Sequence, residues 1–235
     1  MKTNLLSPDK DPMGAAIADY FNHRKADKLR VFSSQFEEDE IPMNQLFRPY
    51  DEIAGTGTDC LTNSRRKYYW YVGAGSGCHA LALQEMGKEV CAIDISPRSV
   101  EVMEKRGVRN VRQMNLFDPH FLETFDTILM LMNGSGIIGK LENMAAFFQK
   151  MKQLLRPGGC ILMDSSDLRY LFEDEDGSFL IRSGRRLLWR NRLPDAIQKY
   201  KRRFFRLALC RFSDTQPVCC REWIRGGAYQ RGGAL

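Results

Sequence analysis

Three glycines at alternate positions, Gly73, Gly75 and Gly77 in the stretch YYWYVGAGSG (68–77), constrain this chain more than any other feature. A backbone without Cβ atoms turns tightly and lets a ligand lie against it, and a helix starting at the turn aims its first N–H groups at that ligand. The residues on either side read as a strand and a helix, and the alternation continues. YYWYV, a helix over 78–86, EVCAID, a helix over 97–106, NVRQM, DTILMLM, a long helix over 140–155 and CILMD come in order. Strands alternating with helices predict a parallel sheet covered on both faces. The punctuation agrees: Ser96 can cap the helix that Pro97 opens, Gly107 can end it, and RPGG at 156–159 breaks the long helix before the next strand. Upstream, residues 13–30 read as an amphipathic helix with Ile17, Tyr20, Phe21 and Leu29 in helical spacing, followed by the acidic loop EEDEIP.

EVCAID ends on Asp94, 17 residues after Gly77. That is near the position from which a carboxylate accepts hydrogen bonds from both ribose hydroxyls of a nucleoside. The plainer account is a tight turn plus a helix-capping Asp. A dinucleotide fingerprint fails, because Cys78 stands where the last glycine of G-x-G-x-x-G should be and Gly77 comes one place early; the chain also lacks the G-K-[ST] of a phosphate loop.

With GAGSG at 73–77, Asp94, and LLRPGG at 154–159 ahead of the fifth strand, the chain resembles the class I S-adenosylmethionine-dependent methyltransferases over residues of about 45–181. The resemblance implies an α/β fold: a Rossmann-like, doubly wound, mostly parallel sheet of seven strands, with S-adenosyl-L-methionine over the carboxyl ends of the first ones. Carried over by position, Gly73, Ala74, Gly75 and Gly77 cradle the methionine moiety, Asp94 holds the ribose and Ile95 packs on the adenine. Asn115 and Leu116 sit at the adenine edge, and Met132 and Asn133 face the methyl group. Two departures stand out. The family's first motif carries an acid where this chain has Tyr71, at the end of a row of aromatics. The family's last two strands are not recognisable in GRRLLWRNRLPDAIQKYKRRFFRLALCRF or in the remaining residues to Leu235.

Charge divides the chain in the same place. Residues 182–235 hold 14 Lys/Arg and 3 Asp/Glu, whereas residues 1–181 hold 21 and 26. The expected organisation is therefore a methyltransferase-like domain over 1–181 and a basic, atypical tail over 182–235. A tail of this kind is either a nucleic-acid surface, with basic residues for phosphates and aromatics for stacking, or a segment translated out of frame. Permitted codons favour the second account: those for WRNRLPDAIQKYK, read one base later, can spell GEIDFQMQYKN, an alternating strand. Those for KYYWYV at 67–72 can spell KILLDV with the other offset, placing Asp where Tyr71 stands, so residues of about 54–71 fall under the same account.

No run approaches the roughly 20 apolar residues that span a bilayer, and the amino end lacks a signal-peptide core. A cytoplasmic protein is expected. Seven cysteines without a C-x-x-C, and His23, His79 and His120 far apart, suggest neither a disulfide frame nor a metal site.

Methyl transfer from a sulfonium is an in-line displacement, so the protein's main task is to hold nucleophile and methyl carbon close and aligned. Little acid–base machinery is obligatory, and no catalytic residue is assigned. His79, His120, Asp164 and Asp167 are candidate bases, each with a plainer explanation as a helix, loop or strand-end residue. LFRPYDE (46–52) offers Phe47, Arg48 and Tyr50 as cover for the site or as a packing segment, and SSDLRYLFEDEDG (165–177) offers a substrate cover or a solvated loop. The reading is a methyltransferase acting on a small molecule. Its alternatives are an RNA or DNA methyltransferase using the basic tail and a non-catalytic nucleoside-binding protein.

Overall fold

The computed structural model describes residues 4–24, 29–31, 39–49, 66–166, 205–212 and 217–219. In chain order the strands are β1 (Leu29–Val31), β2 (Asp39–Ile41), β3 (Tyr68–Val72), β4 (Glu89–Asp94), β5 (Asn110–Gln113), β6 (Phe125–Met130), β7 (Leu155–Ser166), β8 (Phe205–Phe212) and β9 (Pro217–Cys219). The α-helices are α1 (Pro12–His23), α2 (Cys78–Glu85), α3 (Pro97–Lys105) and α4 (Met144–Leu154).

Strand order in the main sheet is β5-β4-β3-β6-β7-β8-β9. The first five pair in parallel, and β8 and β9 add antiparallel neighbours at the β7 edge. The chain thus starts at β3, winds outward through β4 and β5, then returns to lay β6 on the other side of β3. Open α/β sheets bind ligands where the winding reverses, outside the carboxyl ends of the strands. Here that point is the end of β3, and the register Val72↔Ile93 sets the turn after β3 beside Asp94.

Side-chain alternation along the buried strands builds the two layers. Trp70, Val72, Ile128, Met130, Ile161 and Met163 face α4 through Phe147, Met151 and Leu154. Tyr69, Tyr71, Leu129, Cys160 and Leu162 face α2 and α3 through Ala80, Leu83 and Met103. The aromatics of β3 are therefore core residues on both faces. Trp70 stacks on Phe121 and Phe125 with ring centroids 4.9 Å and 5.6 Å away, yet its buried Nε1–H has no hydrogen-bond partner among the described residues. An orphaned buried donor costs about 1–3 kcal/mol. An aliphatic side chain would avoid that penalty.

Ser96 caps α3 as expected, accepting from the Ser99 amide at 2.9 Å, and donates its hydroxyl to Asp11 Oδ2 at 2.6 Å. Asp11 in turn caps α1, which docks on α3 through Ile17 and Val102. Several expected boundaries shift. α1 stops at His23 because Arg24 turns left-handed at φ 55°, so the helix does not run to residue 30. The segment read as an acidic loop contributes β2, paired antiparallel with β1. The helix expected over 140–155 starts at Met144, after short 3-10 turns at Gly134–Ile138 and Leu141–Asn143. RPGG lies inside β7, which continues directly from α4. Two segments of the tail, β8 and β9, are strands of the sheet, which neither the charge nor the residue pattern of the tail had revealed. Among the described residues, no helix is long and apolar enough to cross a membrane.

Candidate functional site

The turn after β3 takes left-handed backbone at Gly73 (φ 68°), Gly75 (φ 57°) and Gly77 (φ 81°), a conformation disfavoured for other residues by about 1–2 kcal/mol. The amides of Gly73 and Ala74 donate to the Ile93 carbonyl at 2.9 Å and 3.1 Å, which pins the turn to β4. Gly75 donates its amide to Asp94 Oδ2 at 2.9 Å, and Ser96 donates to Oδ1 at 2.9 Å. The carboxylate therefore faces the turn, and each oxygen takes one amide and keeps acceptor capacity for another donor. Burial pushes the Asp94 carboxyl up, opposed by the amides of Ser96 and Gly75.

The four turn residues divide. Gly73 is exposed and Gly75 half-buried, so their backbones lie on the open side. Ala74 is buried in the core beneath the turn. A Cβ on Gly77 would come within 2.9 Å of Met103 Cγ and 3.0 Å of Val108 Cγ2, so close packing of α2 against its neighbours already accounts for this glycine.

Beside the turn, Ile95 is exposed and Asn115 is half-buried. Leu116 is different: it is buried in the core. Sequence reasoning missed the segment that lies against this edge. The Leu6 amide donates to the Ile95 carbonyl at 3.1 Å, and Asn115 Nδ2 donates to the Asn4 carbonyl at 3.2 Å. The amino-terminal segment thus borders the edge carried over to adenine, and α1 brings Ile17 toward Gly75.

On the other side, Met132 and Asn133 come after β6 with φ 62° and 66°, both left-handed without being glycine. Met132 and Gly134 donate their amides to Asp164 Oδ2 and Oδ1 at 2.9 Å and 3.1 Å. Ile137, an exposed residue of the next 3-10 turn, places Cδ1 only 2.9 Å from where a Gly73 Cβ would lie. This contact was also missed.

Tyr71 holds a neutral position in this centre. Its hydroxyl lies 3.0 Å from His79 Nδ1, and the two rings meet edge to face. Burial pushes the phenol well above its usual range, with Cys78, Asp164 and Asp94 adding to the effect, and burial together with Arg48 lowers His79 to about 4. Both groups are uncharged at neutral pH. His79 is thus buried and paired to Tyr71, which argues against it as a free base, and Asp164 faces the backbone amides of the turn after β6. His120 sits exposed in the turn after β5; Asp167 and Tyr50 lie outside the described residues. Arg48 hydrogen-bonds the Gln45 carbonyl at 2.9 Å and is near enough to influence Cys78 and His79, while Phe47 packs under the Arg106 guanidinium. Arg106 braces the turn from below, donating to the Ser76 carbonyl at 2.7 Å.

Open glycine backbone, a carboxylate tied to it with acceptor capacity to spare, and an exposed apolar side chain alongside fit a nucleoside bearing a methionine chain.

Comparison with known proteins agrees. A family model described as a methyltransferase domain matches residues 70–163. The chain is 70% identical to an S-adenosylmethionine-dependent methyltransferase from Bacteroides fragilis, solved in complex with S-adenosyl-L-homocysteine; the match covers 75% of this chain and 73% of that one, with a TM-score of 0.69. A stretch of 99 residues is 31% identical to the cypemycin N-terminal methyltransferase of a Streptomyces species, covering 41% of this chain and 40% of that protein. The chain matches less than half the length of this curated relative.

Proposed function

The chain belongs to the S-adenosylmethionine-dependent methyltransferases, and from that premise we propose that it transfers a methyl group from S-adenosylmethionine to a small molecule in the cytoplasm. The observation that carries the reading is the 2.9 Å bond from the Gly75 amide to Asp94, which sets a carboxylate against an open glycine backbone. S-adenosylmethionine supplies an electrophilic methyl group on a sulfonium. The residues of this chain bind and align. Gly73 and Gly75 leave room for the methionine chain, Asp94 accepts from the ribose hydroxyls, and Ile95 and Asn115 border the adenine. Met132 and Asn133 line the side from which the acceptor arrives. Displacement from a sulfonium needs alignment above all, consistent with His79 being buried and committed to Tyr71. The Bacteroides protein was solved with S-adenosyl-L-homocysteine, which supports the choice of cofactor. The Streptomyces protein is named for cypemycin, which supports an acceptor other than nucleic acid.

Titration calorimetry with S-adenosylmethionine, S-adenosylhomocysteine and a nicotinamide dinucleotide tests the reading. Binding of the first two and not the third is expected; preference for the dinucleotide overturns it.

We also read residues 182–235, and the segment ending at Tyr71, as shifted out of the ancestral frame. A relative that is 70% identical yet matched over only about three-quarters of each chain supports this account, as does the orphaned indole of Trp70. It carries a functional consequence: Tyr71 supplies no negative charge where the family has an acid, so cofactor binding is expected to be weaker than in a frame-restored chain. Sequencing the coding DNA decides the matter, because single-base changes that restore both windows must be present.

A further inference from the structure

The turn after β6 is held by a device that glycine makes unnecessary elsewhere. Two successive residues with side chains, Met132 and Asn133, take left-handed backbone, at an expense of about 1–2 kcal/mol each, less for Asn, which tolerates the region. Successive amides in such a conformation form a concavity for an anion. Here the anion is built in: the Asp164 carboxylate accepts from Met132 and Gly134, with the Asn133 amide between them. Beyond the concavity the chain is equally constrained. Gly134 packs on Met130 so closely that a Cβ would lie 2.6 Å from that side chain, and Gly136 donates to the Asn133 carbonyl at 2.8 Å. Ile138 is anchored in the core, which leaves its neighbour Ile137 exposed and set against Gly73.

We propose that Asp164 is a positioning residue: by gathering the amides of residues 132–134 it holds the post-β6 turn in the conformation that sets Ile137 over Gly73, forming the wall at the methionine end of the cofactor. The proposal rests on the methyltransferase reading, and it extends that reading to a residue that touches neither cofactor nor acceptor. Loss of the clamp changes the methionine end of the site and leaves the nucleoside end, built on Asp94, in place.

The test uses the near-isosteric Asp164→Asn in the full chain, with adenosine and S-adenosylmethionine as probes in calorimetry and amide hydrogen exchange as a second readout. S-adenosylmethionine should weaken by about 10-fold, the scale of a lost charge-assisted hydrogen bond, while adenosine is unchanged. The amides of Met132 and Gly134 should exchange faster, with those of Ile128 and Leu129 in β6 unaffected. Equal weakening of both probes, or unchanged exchange at 132 and 134, overturns the proposal. Should the variant not fold, exchange in the unmodified protein decides: protected amides at 132 and 134 support the clamp, and unprotected ones overturn it. Where the native protein binds neither probe, exchange at 132 and 134 alone decides the positioning role; preference for a nicotinamide dinucleotide overturns the methyltransferase reading, and the positioning role with it. A native protein that binds both, beside a variant with an unaltered ratio, overturns the positioning role alone.

Discussion

Two carboxylates at strand ends on either side of β3 and β6 do similar work on different segments of chain. Asp94, closing β4, accepts the amides of Gly75 and Ser96; Asp164, near the end of β7, accepts those of Met132 and Gly134. Each gathers main-chain donors at the carboxyl edge of the sheet, and Tyr71 lies between them, its phenol raised mainly by burial, with Cys78 and then the two carboxylates adding to it. The difference is in the residues being held. Glycines in the first turn adopt left-handed backbone without steric penalty, so residue type alone allows that shape. Met132 and Asn133 in the second do not, so the carboxylate must supply what residue type withholds.

The contrast can be broken by substitutions on either side. The largest effect is expected at Gly77→Ala, which adds left-handed strain to a clash with Met103 and Val108. The expected loss is about 2–4 kcal/mol in unfolding free energy, measurable by denaturant titration; an unchanged midpoint would show that the turn is not packed as described.

Next comes the buried centre between the carboxylates. His79 is lowered from 6.5 to about 4, so the unfolded chain binds the proton more readily across that window. The neutral histidine therefore contributes stability above pH 6.5 that is lost as pH falls toward 4, by up to about 3 kcal/mol. Asp94 and Asp164, pushed the other way, oppose this trend. The clean readout is the stability gap between the native chain and His79→Gln across pH 4–7. It should narrow on acidification, and a constant gap would place the histidine in water.

The smallest effects should carry opposite signs. Gly75→Ala puts a side chain at φ 57° with only Ile17 nearby and is expected to lose about 1 kcal/mol. Met132→Gly relieves the same strain and is expected to gain about 0.5 kcal/mol, after the added freedom of the unfolded chain is subtracted. Thermal melts of the two variants side by side check the signs.

Much of the comparison's first half was legible in the sequence. Glycine at 73 and 75, the strand period of EVCAID and the Ser96-Pro97 start of α3 are local signals, and each falls in the structure where its chemistry places it. The second half was hidden for physical reasons. Asp164 serves main-chain amides, which every residue carries, so its partners leave no trace in residue identity; only Asn133, a residue tolerant of left-handed backbone, hinted at the turn. Asn4 and Leu6 meet Asn115 and Ile95 across roughly a hundred residues, a contact that no local pattern records. In the tail, arginines obscured the alternation of FRLALCRF, and pairing with the free edge of β7 overrode the pattern.

The most direct test of the account is a calorimetric titration of the native chain and Asp94→Ala with S-adenosylhomocysteine. The native chain should bind, and the variant should bind more weakly by about 1–3 kcal/mol, the range for charge-assisted hydrogen bonds to a carboxylate. Equal affinity in the two proteins would contradict it, because the carboxylate beside the glycine turn would then hold the turn and nothing else.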